Sequence, residues 1–156
     1  MSTRIPDIYF MVSGSSEGFM PLNAFDNSLM AGGIGDVNLV RLSSILPPSC
    51  KQVDPFGLPY GSLVPTAYAA ISSSTPGEII SAAVAIAIPE DPTLPGLIME
   101  HSGLGPKEAV EQCVREMAEA GFRRRERALK EIKSISTQHT VVKHGNALAA
   151  VVLWYS

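Results

Sequence analysis

The stretch EIISAAVAIAIP, residues 78–89, decides the fold class. Large side chains fall at Ile80, Val84, Ile86 and Ile88, small ones at Ser81, Ala83, Ala85 and Ala87. That period of two marks a strand, because successive side chains of extended backbone point to opposite faces. One face is bulky and the other thin enough for close packing. Working outward, further strands are expected near residues 5–13, 37–45, 63–72 and 96–101. SGSSEG (13–18) ends the first, and Pro47-Pro48 stops the second because proline cannot donate to a ladder. Residues 18–36 combine a helical turn around 24–30 with a glycine-rich loop. The strongest helix signal is GLGPKEAVEQC (103–113), with Gly105 at the cap and Pro106 in the first turn. Val110, Cys113, Val114 and Met117 form its apolar stripe, and Gly121 is a candidate break before FRRRERALKEIKSI (122–135). The C-terminus reads as a hairpin: SISTQHTVVK (134–143), an HGN turn, then ALAAVVLWYS (147–156). Strands mixed with one or two helices, without βαβα alternation, predict an α+β layered sandwich. With no repeat or linker, residues 1–156 are expected to form a single domain.

The 156 residues are enough to bury a sizeable core. With 46% hydrophobic and 17% charged residues, the chain is expected to bury surface between subunits as well. A net charge of −3 gives no general attraction to nucleic acid or to an anionic membrane. Cys50 and Cys113 have neither metal-ligand spacing nor a disulfide framework, so the expected setting is reducing and cytoplasmic. No window of about 18 uninterrupted apolar residues predicts a membrane span. The apolar run after Asp7 is too short for a signal sequence.

The motifs narrow the chemistry. Arg123, Arg124, Arg125 and Arg127 lie among Glu116, Glu119, Glu126 and Glu131 and lack an aromatic platform, which fits a solvated face better than a nucleic-acid site. His101, His139 and His144 lie in separate segments without metal spacing. GGIGD (32–36) lacks the lysine of a phosphate loop and reads as a tight turn. No serine sits in a G-x-S-x-G elbow. There remains VNLVRLSSILPPSC (37–50), where an apolar run carries Ser43-Ser44 into two prolines. A serine pair alone says little, and 13–18 and 70–75 contain others. Its chemistry is nevertheless specific. The Ser44 hydroxyl can attack the Ser43 carbonyl carbon, exchanging amide for ester. Amide resonance resists this, so strain or oriented oxyanion donors must help. β-Elimination then severs the ester and leaves dehydroalanine, which hydrolyses to a pyruvoyl group and ammonia. The products would be residues 1–43 and 44–156.

The sequence resembles the pyruvoyl-dependent arginine decarboxylases over nearly its whole length. The segments that carry the likeness are GSSEGFMPLNAFD (14–26), GIGDVNLVRLSSILPP (33–48), GSLVPTAYA (61–69), PGEIISAAVAIAIP (76–89), GLIME (96–100), VREMAEAGF (114–122) and AAVVLWY (149–155). The resemblance implies an αββα sandwich with mixed and antiparallel sheets, assembled as a trimer or a pair of trimers with sites between neighbours. It implies self-cleavage between Ser43 and Ser44 into a short β chain, 1–43, and a longer α chain, 44–156. The cofactor would be a pyruvoyl group made from Ser44, without pyridoxal phosphate or metal. The implied reaction converts L-arginine to agmatine and CO2 through a Schiff base on that group. Glu100 matches the family's catalytic glutamate, a general acid whose pKa partial burial would raise. Asn38 is assigned to processing, as a donor toward the Ser43 carbonyl; six residues before Ser44, it shares that face of the strand if alternation continues. Asp26 would take the substrate guanidinium in a forked pair, with the new Ser43 carboxylate beside it. Leu29, Gly35 and Ile45 would line the aliphatic part. Asp36 and His101-Ser102 depart from the family pattern. A relative acting on another amino acid, or an unprocessed oligomer in which Ser43-Ser44 merely ends a strand, are the alternatives.

Overall fold

The computed structural model describes residues 4–156. In chain order its elements are β1 (Ile8–Glu17), α1 (Pro21–Ala31), β2 (Asn38–Arg41), β3 (Ile45–Leu46), β4 (Lys51–Gln52), β5 (Leu63–Ser73), β6 (Ile79–Pro89), β7 (Gly96–Leu104), α2 (Lys107–Arg124), β8 (Leu129–Thr140) and β9 (Gly145–Trp154). The strands form two sheets, ordered β2-β5-β9-β1-β4 and β3-β7-β6-β8. The first is mixed, because β4 and β2 run parallel to β1 and β5. The second is antiparallel throughout.

Side-chain alternation sorts the apolar residues into three layers. Tyr9, Ile80, Val84, Ile86, Ala147 and Val151 meet between the sheets. Phe10, Val12, Leu148 and Val152 face the other way and pack with Leu29 of α1. Ala83, Ala85 and Ala87 face α2, against Val110, Val114, Ala118 and Phe122. The result is an αββα sandwich. The thin alanine face of β6 is therefore covered by this chain's own helix. Gly121 does not break α2, which continues to Arg124. A Cβ there would lie 2.1 Å from Leu97 Cδ2, so the glycine lets the helix pack closely on the sheet at that point.

Other expectations are corrected. β1 continues through Ser13–Glu17, paired with β9. Its small residues admit α1, since a Cβ on Gly14 would meet Ser28 O at 2.1 Å. Pro106, not Gly105, is the N-cap of α2. Gly105 has φ +99° and donates to Ile79 O. The segment 122–135 is divided between two elements, its first residues ending α2 at Arg124 and the rest entering β8 from Leu129.

The C-terminal hairpin does not form. β8 pairs with β6 at the edge of the second sheet, whereas β9 lies between β1 and β5 in the first. Residues 145–153 are buried throughout, so they require a central position with a layer over each face. Likewise, 37–45 is not one strand. β2 lies in the first sheet and β3 in the second, with residues 42–44 crossing between them. Alternation fixes which way side chains face but not which sheet receives the backbone, and strands can switch sheets at such corners.

Candidate active site

The crossing segment is held on both sides. Leu42 N–H donates to Thr66 O (3.0 Å) in the first sheet, and Ser44 O accepts from Ile98 N–H (2.7 Å) in the second. The Ser43–Ser44 peptide therefore lies between two tethers but inside neither ladder. Ser43 is exposed and Ser44 half-buried. Ile98 points into the layer between the sheets, and Glu100, two residues on, shares that face of β7. Two residues of strand rise separate them, about 7 Å.

Glu100 lines a cleft of about 270 Å³ with Arg41, Tyr68, Ala69, Ala70, His101 and Ser102. The cleft follows an edge of β5 left open because β2 pairs only with Leu63–Thr66. Arg41 Nη1 stands 3.7 Å from Glu100 Oε1, with the glutamate side chain 25% exposed and the arginine 55%. The same guanidinium sits 4.2 Å from the centre of the Tyr68 ring. Burial pushes the Glu100 carboxyl above its ordinary value, and the nearby Arg41 charge opposes but does not cancel that rise.

A second cleft of about 530 Å³ opens under α1 and is lined by Asp26, Leu29, Gly35, Val37, Asn38 and Tyr68, among others. Pro21 starts α1, and helical spacing then turns Leu22, Asp26 and Leu29 toward one side. Gly35 lets the following loop close over Met30, whose Sδ would lie 2.2 Å from a Cβ there. Asn38 donates from its backbone to Ser62 O (2.8 Å) and from Nδ2 to Gly61 O (3.3 Å). Its amide is thus engaged by the turn before β5, at the opposite end of β2 from the crossing. The shared-face argument for Asn38 and Ser44 fails, because the strand ends at Arg41.

Four of the expected residues, Asp26, Leu29, Gly35 and Asn38, thus share one cleft. Glu100 lies in another, beside the crossing. Tyr68 borders both, and β2 runs from one to the other. Ile45 lies on β3, paired with Leu97 and 42% exposed, and lines neither. Sequence reasoning missed Arg41 and Tyr68. The available signal was a lone cation inside an apolar run, two residues before the serine pair. Among the described residues, no group of three or more His, Cys, Asp and Glu side chains could hold a metal ion. No helix among them is long and apolar enough to cross a membrane.

The family model described as pyruvoyl-dependent arginine decarboxylase matches residues 8–156. A protein of that name from Methanocaldococcus jannaschii is 53% identical over 152 residues, covering 97% of this chain and 92% of the relative. Another from Pyrococcus abyssi is 46% identical over 157 residues, covering 99% of each. Among solved structures, a pyruvoyl-dependent histidine decarboxylase superposes with a TM-score of 0.53 at 18% identity, over 64% of this chain and 53% of that one. That last likeness is one of fold.

Proposed function

The chain belongs to the pyruvoyl-dependent arginine decarboxylase family, and from that premise we propose that it cuts its own backbone between Ser43 and Ser44 and converts L-arginine to agmatine and CO2. One observation carries the reading: the Ser43–Ser44 peptide crosses between the sheets, with the Ser44 carbonyl fixed to Ile98 two residues from Glu100. A peptide outside the ladders can distort as the Ser44 hydroxyl attacks without first breaking a strand pairing. The amide becomes an ester, elimination releases chain 1–43, and hydrolysis of the remaining dehydroalanine yields ammonia and a pyruvoyl group heading chain 44–156.

The residues fit that group. The Ser44 carbonyl stays with the longer chain, so its bond to Ile98 N–H anchors the new terminus two residues along β7 from Glu100. The pyruvoyl group supplies a ketone that traps the substrate amine and accepts the electron pair left when CO2 departs. No pyridoxal phosphate or metal enters this scheme.

Glu100 then delivers a proton to the substrate α-carbon, a role suited to a carboxyl whose acid form is favoured by burial. Asp26 takes the guanidinium, with Leu29 and Gly35 along the aliphatic part. Asn38 orders the turn against which β2 starts, and thereby the strand that leads into the cut. After cleavage, Ser43 ends in a carboxylate close to Arg41. The processed units associate as a trimer or a pair of trimers in the cytoplasm. Leu22, 76% exposed where it lines the larger cleft, supports a shared site in which a neighbouring copy covers the pocket.

Intact mass and product analysis test the whole. The expected result is two chains, 1–43 and 44–156, the larger with a terminal ketone, together with agmatine formed from arginine in preference to lysine, ornithine or histidine. Ser44→Ala should remain one 16.6 kDa chain without activity. An uncut parent chain in assembled protein would defeat the proposal. Cut protein without arginine preference would defeat the arginine reading and the Asp26 assignment while leaving the self-cleavage standing.

A further inference from the structure

We infer that Arg41 is a positioning residue for Glu100: braced on Tyr68, it reaches from the end of β2 to the carboxyl across the cleft beside the Ser43–Ser44 bond. The inference rests on the proposed reading of Glu100 as the proton donor. Arg41 is the last residue of β2, opposite Thr66 in the parallel ladder, and the chain leaves the sheet after the bond from Leu42 N–H to Thr66 O. Its guanidinium lies over the Tyr68 ring at 4.2 Å. A planar cation in that position loses side-chain freedom and gains a cation–π contact, so its charge is held in place.

The gap to Glu100 is also informative. At 3.7 Å, the closest N···O approach exceeds hydrogen-bond length. Arg41 therefore acts through its charge, leaving both carboxyl oxygens available for a proton and for the cleft. A forked hydrogen-bonded pair would instead lock the carboxylate in its ionised form. The groups around Glu100 are few. β5 presents Tyr68, Ala69 and Ala70, Val84 stands opposite on β6, and His101 and Ser102 follow on β7. Arg41 is the permanent cation among them. Burial favours the acid form and Arg41 limits that preference, which keeps the carboxyl able to give up its proton as well as to hold it. The contact also spans the proposed cut: Arg41 would belong to chain 1–43 and Glu100 to chain 44–156.

The first test needs no catalysis. In the full-length Ser44→Ala protein, the side-chain carboxyl ¹³C resonance of Glu100, identified by its loss in Glu100→Gln, is followed against pH. Arg41→Met should move its midpoint to higher pH, and Arg41→Lys should move it less. An unchanged midpoint in Arg41→Met overturns the inference. Arg41 is more than half exposed, so both variants should fold, and identical unfolding temperatures would confirm that. In the Ser44 protein, with cleavage checked by intact mass, the high-pH fall of kcat should shift upward in Arg41→Met. A Glu100 acid loses its proton there, so a raised pKa extends activity to higher pH. The limb should vanish in Glu100→Gln. If it persists there, the Glu100 reading fails. If it vanishes there but stays put in Arg41→Met, only the Arg41 inference fails.

Discussion

Replacing Glu17 with alanine should destabilise the chain by about 2–4 kcal/mol at neutral pH, and the effect should disappear in acid. Glu17 closes β1, and its carboxylate accepts from Val142 N–H (3.2 Å), Lys143 N–H (2.7 Å), His144 N–H (3.0 Å) and the His139 ring. It therefore gathers the connection between β8 and β9, where the chain passes from one sheet to the other. Gly145 makes room for this, since a Cβ there would sit 2.7 Å from Glu17 Oε2. Hydrogen bonds to a charged acceptor are worth roughly 1.5–3 kcal/mol each when buried. Here Val142 and Lys143 are exposed and can return to water, and the Glu17 side chain is 31% exposed. Solvent screening thus keeps the total well below four full bonds. At about 2–4 °C per kcal/mol for a chain of this size, Tm should fall by about 5–15 °C. Thermal unfolding is best measured in the unprocessed Ser44→Ala chain, so that two fragments do not complicate the transition. The sign follows from the acid's own equilibrium. Desolvation pushes the Glu17 carboxyl up, but the His139 bond and the three amides outweigh it and hold the pKa at about 2, against an ordinary 4.5. A depressed carboxyl contributes fully above pH 4.5 and loses that contribution as pH falls toward 2. The gap between parent and variant should close over that window. A gap under about 2 °C at pH 7, or one unchanged at pH 2, would refute the reasoning.

Glu100→Gln should still cleave, as judged by intact mass, while kcat for agmatine formation falls about 10²–10⁴-fold, the usual contribution of a general acid; near-parental turnover would remove Glu100 from that role. Asp26→Asn should also be processed, with kcat/KM for arginine down about 10–100-fold, mainly through KM. An unchanged KM would separate Asp26 from the guanidinium. Gly121→Ala tests packing against propensity. Helix propensity alone predicts a gain of about 1 kcal/mol, but the added Cβ lies 2.1 Å from buried Leu97 Cδ2, and overpacking costs about 1–3 kcal/mol. Thermal unfolding should therefore show a lower Tm, and a higher one would mean that α2 can move off the sheet.

Local periodicity made β6 and α2 legible, because a strand buried on both faces and an amphipathic helix each write their period into adjacent residues. It also fixed the large and small faces of β6, though not what covers the small one. Partner choice was illegible. β8 and β9 are joined by a few residues, yet the deciding facts are distant: Ile80, Ala82 and Val84 accept β8 as a neighbour, whereas β1 and β5 enclose β9. The same blindness turned β2 and β3 into one strand. For the site, composition and spacing gave a serine pair and several unremarkable carboxylates. The resemblance singled out Asp26, Asn38, Ser44 and Glu100, and the structure places Asp26 and Asn38 in one cleft, Glu100 in another and Ser44 on the crossing between the sheets. Arg41 escaped both routes, because its place depends on the strand ending beneath it.

The sheet change itself links fold to chemistry. A backbone that rearranges its own peptide needs a bond outside the ladders, yet both flanks must stay fixed or the new ends would drift apart. A strand crossing between two layers meets both demands, with Leu42 held by Thr66 and Ser44 by Ile98. A cut there breaks no strand pairing. Chain 1–43 would retain β1 and β2, and all ten residues of β1 pair with β9 of the longer chain. Phe10 and Val12 would keep their contacts in the layer under α1, and Tyr9 its place between the sheets. The short product would thus be woven into the first sheet on both sides of β5 and β9, so the fold that leaves the Ser43–Ser44 bond outside the ladders would also hold the two products together after a cut.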